Sequence, residues 1–251
     1  MHTCPRSGWK EARPNGVVTA GEVVPGAAAH KVVRMNPTQV QRWAAWVVLL
    51  AATVGQTAPA TRAARKPHDP KMWEAEIAKY EAADQKEGKP AAGGVVFVGS
   101  SSIRIWKVKD AFPGANVINR GFGGSWSCDS VYFADRVVTP YKPRTIVFYA
   151  GDNDIAGGQT AEEVAGCFED FVKKVRAALP EVKIVFVSVK PSIARWALWP
   201  EMQRANAMVK AFAEKEKGVA FVDITREMLG EDGKPRKELL RADGLHMTDA
   251  G

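Results

Sequence analysis

Gly94-Val95-Val96-Phe97-Val98-Gly99 is a run of four apolar residues held between two glycines. A short unbroken run of this kind fits a strand buried on both faces of a parallel sheet. The pattern returns at Val117-Ile118, at Thr145–Tyr149, at Lys183–Val189 and at Val219–Val222. Helical stretches separate these runs. Ser127–Val138 is one, and Glu201–Lys217 is another. Thr160–Leu179 is the clearest, because Thr160-Ala161-Glu162-Glu163 has the spacing of a capping box. Upstream, Met72-Trp73, Ile77, Tyr80 and Ala83 share one helical face, and Gly88-Lys89-Pro90 ends that helix. Strands alternating with helices predict an α/β sandwich around a mainly parallel sheet of about five strands.

The chain has 251 residues, of which 46% are hydrophobic and 25% charged, the proportions of a globular protein. Its net charge of +7 is concentrated at the start. Residues 1–60 hold six basic and two acidic residues, which leaves 29 basic against 26 acidic in the rest, with the signs mixed. That distribution argues against a nucleic-acid partner. Three cysteines without a CxxC pair point to neither a zinc ribbon nor a disulfide scaffold, and four histidines are too few for a multi-histidine metal site.

Trp43–Val54 is apolar throughout except Thr53. Twelve residues fall short of the roughly 20 that a spanning helix needs. They fit the middle of a secretory signal peptide, with Arg42 ahead and the small-x-small pattern Ala58-Pro59-Ala60 behind. The expectation is a signal peptide from Met35 to Ala60, upstream read-through or disorder over 1–34, and a secreted or periplasmic product with no stable membrane span. Residues 61–70, basic and proline-containing, read as a linker, and 71–251 as one domain.

In parallel α/β sheets ligands bind beyond the carboxyl ends of the strands. The segments after the strands here are Gly99-Ser100-Ser101-Ser102, Asn119-Arg120-Gly121-Phe122-Gly123-Gly124-Ser125, Gly151-Asp152-Asn153-Asp154 and, near the end of the chain, Asp243-Gly244-Leu245-His246. A nucleophilic serine needs a base within reach and an acid to orient that base. Downstream of the signal region only His68 and His246 remain, and His68 lies in the linker. Taken singly the four segments are weak. Ser100 or Ser102 can cap a helix, Asn153 can serve a turn, and Asp-x-x-His can be a surface turn. The glycines lack the G-x-G-x-x-G spacing, and neither a P-loop nor a G-x-S-x-G elbow occurs.

Together, in this order, the four segments resemble the blocks of the SGNH hydrolases, the GDSL-type esterases and lipases. The likeness covers Lys71–Gly251 and implies a flavodoxin-like three-layer fold. It places the nucleophile at Ser101, with Ser100 and Ser102 standing where the family usually has Asp and Leu. It implies an oxyanion hole from the backbone N–H groups of Ser101 and Gly124 and the side chain of Asn153. It makes Asp243 and His246 the acid and base, gives Asp152 no role, and requires neither metal nor organic cofactor. The resemblance also implies that the domain is truncated, since Thr248-Asp249-Ala250-Gly251 begins like a capped helix and the chain stops five residues after His246.

The activity so implied is hydrolysis of ester-linked acyl groups on a small-molecule or carbohydrate substrate. The family also includes lysophospholipases and acetylhydrolases of the platelet-activating-factor type, and a non-catalytic sugar binder on the same scaffold is a third reading. Trp126, Trp196 and Trp199 are candidates to stack on substrate, set against a packing role. Arg120 is a candidate to meet a substrate anion or to pair with Asp154. Cys128 and Cys167 sit on different predicted helices, which argues against a disulfide between them.

Overall fold

The computed structural model describes residues 68–251, so the signal-peptide reading of 35–60 and residues 1–34 lie outside the described residues. Five strands, β1 (Val95–Gly99), β2 (Val117–Gly121), β3 (Thr145–Tyr149), β4 (Lys183–Val187) and β5 (Val219–Val222), form one sheet in the order β2-β1-β3-β4-β5. Every neighbouring pair is parallel. The helices are α1 (Glu74–Glu87), α2 (Ser101–Arg104), α3 (Val108–Ala111), α4 (Ser127–Val137), α5 (Asp152–Ala156), α6 (Ala161–Ala178), α7 (Trp199–Ala213) and α8 (Thr225–Met228).

The strand order explains why the two sheet faces differ. Parallel crossovers are right-handed. The step from β1 to β2 runs one way along the sheet, and every later step runs the other way. The helices of the first crossover, α2 and α3, therefore lie on one face, and α4, α6 and α7 lie on the other, joined there by α1. Side chains alternate along each strand. Val96, Val98, Ile118, Ile146, Phe148, Ile184 and Phe186 face the four long helices and form the main core. Phe97, Val117 and Tyr149 face Ile103 and Val108 in a smaller one. In the main core the Phe148 ring packs on Phe168, Phe171 and Phe186, with centroids 4.8–5.7 Å apart.

Local signals act as their chemistry requires. Thr160 Oγ1 accepts from the Glu163 N–H at 3.3 Å, and the Glu163 carboxylate accepts from the Thr160 N–H at 2.8 Å. α7 starts at Trp199, two residues earlier than predicted, because Pro200 fits the first helical turn, where a missing N–H costs nothing. Met72 and Trp73 fall in a short 3-10 turn, Pro70–Trp73, ahead of α1, so Met72 is exposed rather than part of the helix face.

Two expectations are corrected here. Cys128 on α4 and Cys167 on α6 are disulfide-bonded, with Cα atoms 5.0 Å apart. Successive right-handed crossovers set α4 and α6 side by side on one face, a proximity that separation into different helices does not rule out. The end of the supposed linker also belongs to the fold. His68 stacks on Trp126 with ring centroids 3.8 Å apart, and its Nε2 lies 2.7 Å from Asp129 Oδ1.

Candidate active site

β1 ends at Gly99 with φ +132°, where a side chain would collide with the Tyr149 carbonyl oxygen. Only glycine lets the chain turn so tightly there. The turn sets Ser101 at the start of α2, at the carboxyl edge of the sheet. The loop of Asp243 and His246 reaches the same point from the far end of the chain. His246 Nε2 lies 3.0 Å from Ser101 Oγ, and His246 Nδ1 lies 2.6 Å from Asp243 Oδ2. A carboxylate only accepts, so Nδ1 carries the proton, and Nε2 of the neutral ring is a bare lone pair facing the serine hydroxyl. Asp243 Oδ1 also accepts from the backbone N–H groups of Leu245 and His246, at 2.9 Å each. The bond from the imidazole, aided by those two N–H groups, holds the Asp243 carboxyl well below its ordinary pKa, so it stays ionised.

Opposite lies the loop after β2. Gly124 has φ +80°, and a Cβ there would press on the Trp73 ring at 3.2 Å. Asn153, on α5, lines the same cleft, its Nδ2 donating to the Ser125 carbonyl at 3.0 Å. Ser101, Gly124, Asn153 and His246 line one cleft of about 400 Å³, with Trp73, Glu76, Arg104, Gly123, Arg195 and Leu245 completing its walls. The arrangement suits acyl transfer: a serine hydroxyl beside a lone-pair nitrogen, an ionised acid behind the ring, and Gly124 and Asn153 lining the same cleft.

None of the four expected substrate contacts lines this cleft. Arg120 is buried on the helix-facing side of β2, because alternation along the strand puts it beside Val98. There it pairs with Asp84 at 2.6 Å and donates to the Tyr141 hydroxyl at 2.9 Å, rather than to Asp154 or a ligand. Trp126 is buried under His68. Trp196 and Trp199 stack on each other, centroids 6.1 Å apart, and pack on the main core. Aromatic type and position near the site edge suggest the three tryptophans, but Trp126 and Trp199 are buried and Trp196 is half-buried against the main core.

Other wall residues carry little signal in the sequence. Trp73 reads there as part of a core face, yet its indole Nε1 donates to Asp129 at 3.0 Å and its ring stands over Gly124. Arg104 has a usable signal, since it comes three residues after Ser101, one helical turn, and so shares its face. Asp152, to which the family likeness gives no role, is buried against Lys190 at 3.2 Å and Arg195 at 3.1 Å. Burial alone would raise its pKa, but those two cations outweigh it and hold the carboxyl below its usual value. Asp154 differs. Burial pushes it up to about 7, against which the Ser127 N–H, donating at 2.7 Å, is the main opposing contact.

A parallel five-stranded α/β sandwich with serine, histidine, aspartate and asparagine gathered on its carboxyl edge has the architecture of a serine acylhydrolase. The chain belongs to the GDSL-like Lipase/Acylhydrolase family, whose sequence model matches residues 104–251. The match begins three residues after Ser101, so the first of the four blocks stands on geometry instead. The chain is 27% identical over 165 residues to platelet-activating factor acetylhydrolase IB subunit alpha2 of Rattus norvegicus, covering 62% of this chain and 70% of that one. A GDSL-like lipase from Bacteroides thetaiotaomicron superposes with a TM-score of 0.55 at 25% identity, over 72% of this chain and 90% of that one. A structure from Streptococcus pneumonia named for platelet activating factor gives a TM-score of 0.64, over 86% and 94% of the two chains. At 20% identity that last likeness shows the fold alone. Among the described residues no helix is long and apolar enough to cross a membrane.

Proposed function

We propose that this chain is a serine esterase that removes short acyl groups, acetyl above all, from a hydroxylated alcohol of carbohydrate type. The observation that carries the reading is the hydrogen-bond chain Ser101–His246–Asp243, at 3.0 and 2.6 Å, facing Gly124 and Asn153 across one cleft. Ser101 Oγ attacks the ester carbonyl while His246 takes its proton. The oxygen that becomes negative meets the N–H groups of Ser101, Gly124 and Asn153. Collapse breaks the ester bond, and His246 returns the proton to the departing alcohol. Water, activated by the same histidine, then releases the acid from Ser101.

The cleft walls support the choice of substrate. Trp73 offers one flat aromatic face, and Glu76 and Arg104 offer charged groups of both signs. An aromatic platform rimmed by polar groups suits a hydroxylated ring. A long acyl chain would need a continuous apolar channel, whereas the carbon-rich walls here are Trp73 and Leu245. The likeness to platelet-activating factor acetylhydrolase favours a second reading, in which the acetyl group sits on a lipid alcohol. Export belongs to the proposal too, and the Cys128–Cys167 disulfide supports it, since such bonds persist in oxidising compartments. Amino-terminal sequencing of the mature protein is expected to read from Thr61.

One panel tests the reading. Hydrolysis of aryl acetate, longer aryl esters, acetylated xylan and an acetylated ether phospholipid is compared, with fluorophosphonate labelling alongside. Fast turnover of the two acetates that carry no lipid, with labelling at Ser101, is the expected result. Preference for the phospholipid establishes the second reading. Absence of labelling in folded protein leaves a non-catalytic sugar binder.

A further inference from the structure

Arg195 precedes a short 3-10 helix, Trp196–Leu198, in the segment between β4 and α7. Its guanidinium has two partners. Nη2 donates to Asn153 Oδ1 at 2.8 Å, and Nη1 stands 3.1 Å from Asp152 Oδ2. Asp152 does not need Arg195 for neutrality, because the buried Lys190 ammonium lies 3.2 Å from the same oxygen. Lys190 is fixed in turn by the Tyr149 hydroxyl at 3.2 Å. Arg195 is therefore a second cation on an already paired carboxylate, and its other edge is spent on Asn153.

The two ends of a primary amide are nearly equal in shape, so its neighbours decide which end points where. Asn153 Nδ2 donates to the Ser125 carbonyl at 3.0 Å. If the amide flipped, its NH₂ would face a guanidinium that has no acceptor, and its oxygen would face a carbonyl that has no donor. Both contacts would be repulsive. The orientation seen is fixed from both sides, and it leaves one Nδ2 hydrogen unused in a cleft that Ser101 and Gly124 share. The segment that carries Arg195 is itself tied to the base, since the Ala194 N–H donates to the Gly244 carbonyl at 3.0 Å, two residues from His246.

We propose that Arg195, anchored by the Asp152–Lys190 pair, is a positioning residue that holds the Asn153 amide with an N–H turned toward the oxyanion. The proposal rests on the esterase reading above. Arg195 touches the transition state only through Asn153, so its loss matters only while Asn153 is present.

Steady-state kinetics on aryl acetate with Arg195→Met, Arg195→Lys, Asn153→Ala and the double variant Asn153→Ala/Arg195→Met test it. Arg195→Met is expected to lower kcat by about 10- to 100-fold with KM within about twofold, a smaller loss than that of deleting the donor itself. Arg195→Lys keeps a donor and is expected to recover most of that loss. The double variant is expected to match Asn153→Ala within about threefold, because coupled positions are not additive. Circular dichroism and thermal melting establish that each variant is folded, and if Arg195→Met fails to fold, Arg195→Gln takes its place in both the single and the double variant, with the same outcomes expected. Multiplying losses in the double variant overturn the proposal, as does a rise in KM at constant kcat, which would make Arg195 a substrate-binding residue. A wild-type protein that neither turns over acetates nor takes the fluorophosphonate label overturns the esterase reading first, and the role of Arg195 falls with it.

Discussion

On the proposed mechanism, replacing Asn153 by alanine removes one of three N–H donors from the place where the carbonyl oxygen would turn negative, and leaves Ser101 and Gly124 untouched. In the ground state that oxygen is a weak acceptor. In the tetrahedral state it is an anion, and one preorganised donor is then worth about 2.7–4 kcal/mol. At about 1.36 kcal/mol per decade, kcat should fall by about 10²–10³. KM should stay within about twofold, because binding of the neutral ester gains little from the donor. The same substitution removes two protein contacts of the amide, to the Ser125 carbonyl and from Arg195. Each is worth about 1 kcal/mol of stability. The melting temperature should therefore drop, so rates are to be compared well below it and normalised to the fraction of protein labelled by fluorophosphonate. Asp152→Ala, which the sequence suggests as a benign neighbour control, is unsuitable, since it strips Lys190 and Arg195 of their shared carboxylate, a loss of about 3–5 kcal/mol for a buried pair. Near-normal kcat in folded Asn153→Ala protein would refute the oxyanion role of this residue.

Ser101→Ala should abolish turnover and labelling while melting as wild type does, whereas Ser100→Ala should still label; a label on Ser100 would move the nucleophile by one residue. Asp243→Asn should lower kcat by on the order of 10⁴ with little change in KM, because the ring loses the acceptor that fixes its Nδ1 proton; a loss under about tenfold would make that contact incidental. Cys128 and Cys167 are 39 residues apart, so opening their disulfide should cost about 4 kcal/mol on the loop-entropy account. Urea melts of Cys128→Ser/Cys167→Ser protein check this, and unchanged midpoints would contradict it. Asp154, raised to about 7, keeps its proton in the native state while the unfolded chain releases it near 3.8. Its contribution to stability is thus fully present below about pH 4 and lost as pH rises through 7, by up to about 1.4 kcal/mol per unit. Asp154→Asn should flatten the urea-midpoint profile between about pH 4.5 and 7.5, and parallel profiles would exclude this titration.

The sequence alone determined the elements and the order of the site segments, because both depend on neighbours along the chain. Unbroken apolar runs such as Val95–Val98 make strands wherever they are covered, and the Thr160–Glu163 capping box starts α6 by contacts three residues apart. A parallel sheet gathers the loops after its strands onto one edge, so Ser101, Gly124 and Asn153 were legible as a group, and with them Asp243 and His246. Only the tertiary structure decided what each side chain meets across space. Right-handed crossovers placed α4 beside α6 and so paired Cys128 with Cys167. Alternation along β2 turned Arg120 inward, and α1 supplied the Asp84 that holds it there. Trp73 became a wall of the cleft because Asp129 grips its indole nitrogen, and Arg195 came to Asn153 because Asp152 and Lys190 are buried beside it. The partners in these contacts lie between 36 and 56 residues apart in the chain, and no local pattern encodes a meeting that depends on how strands are ordered and helices are packed.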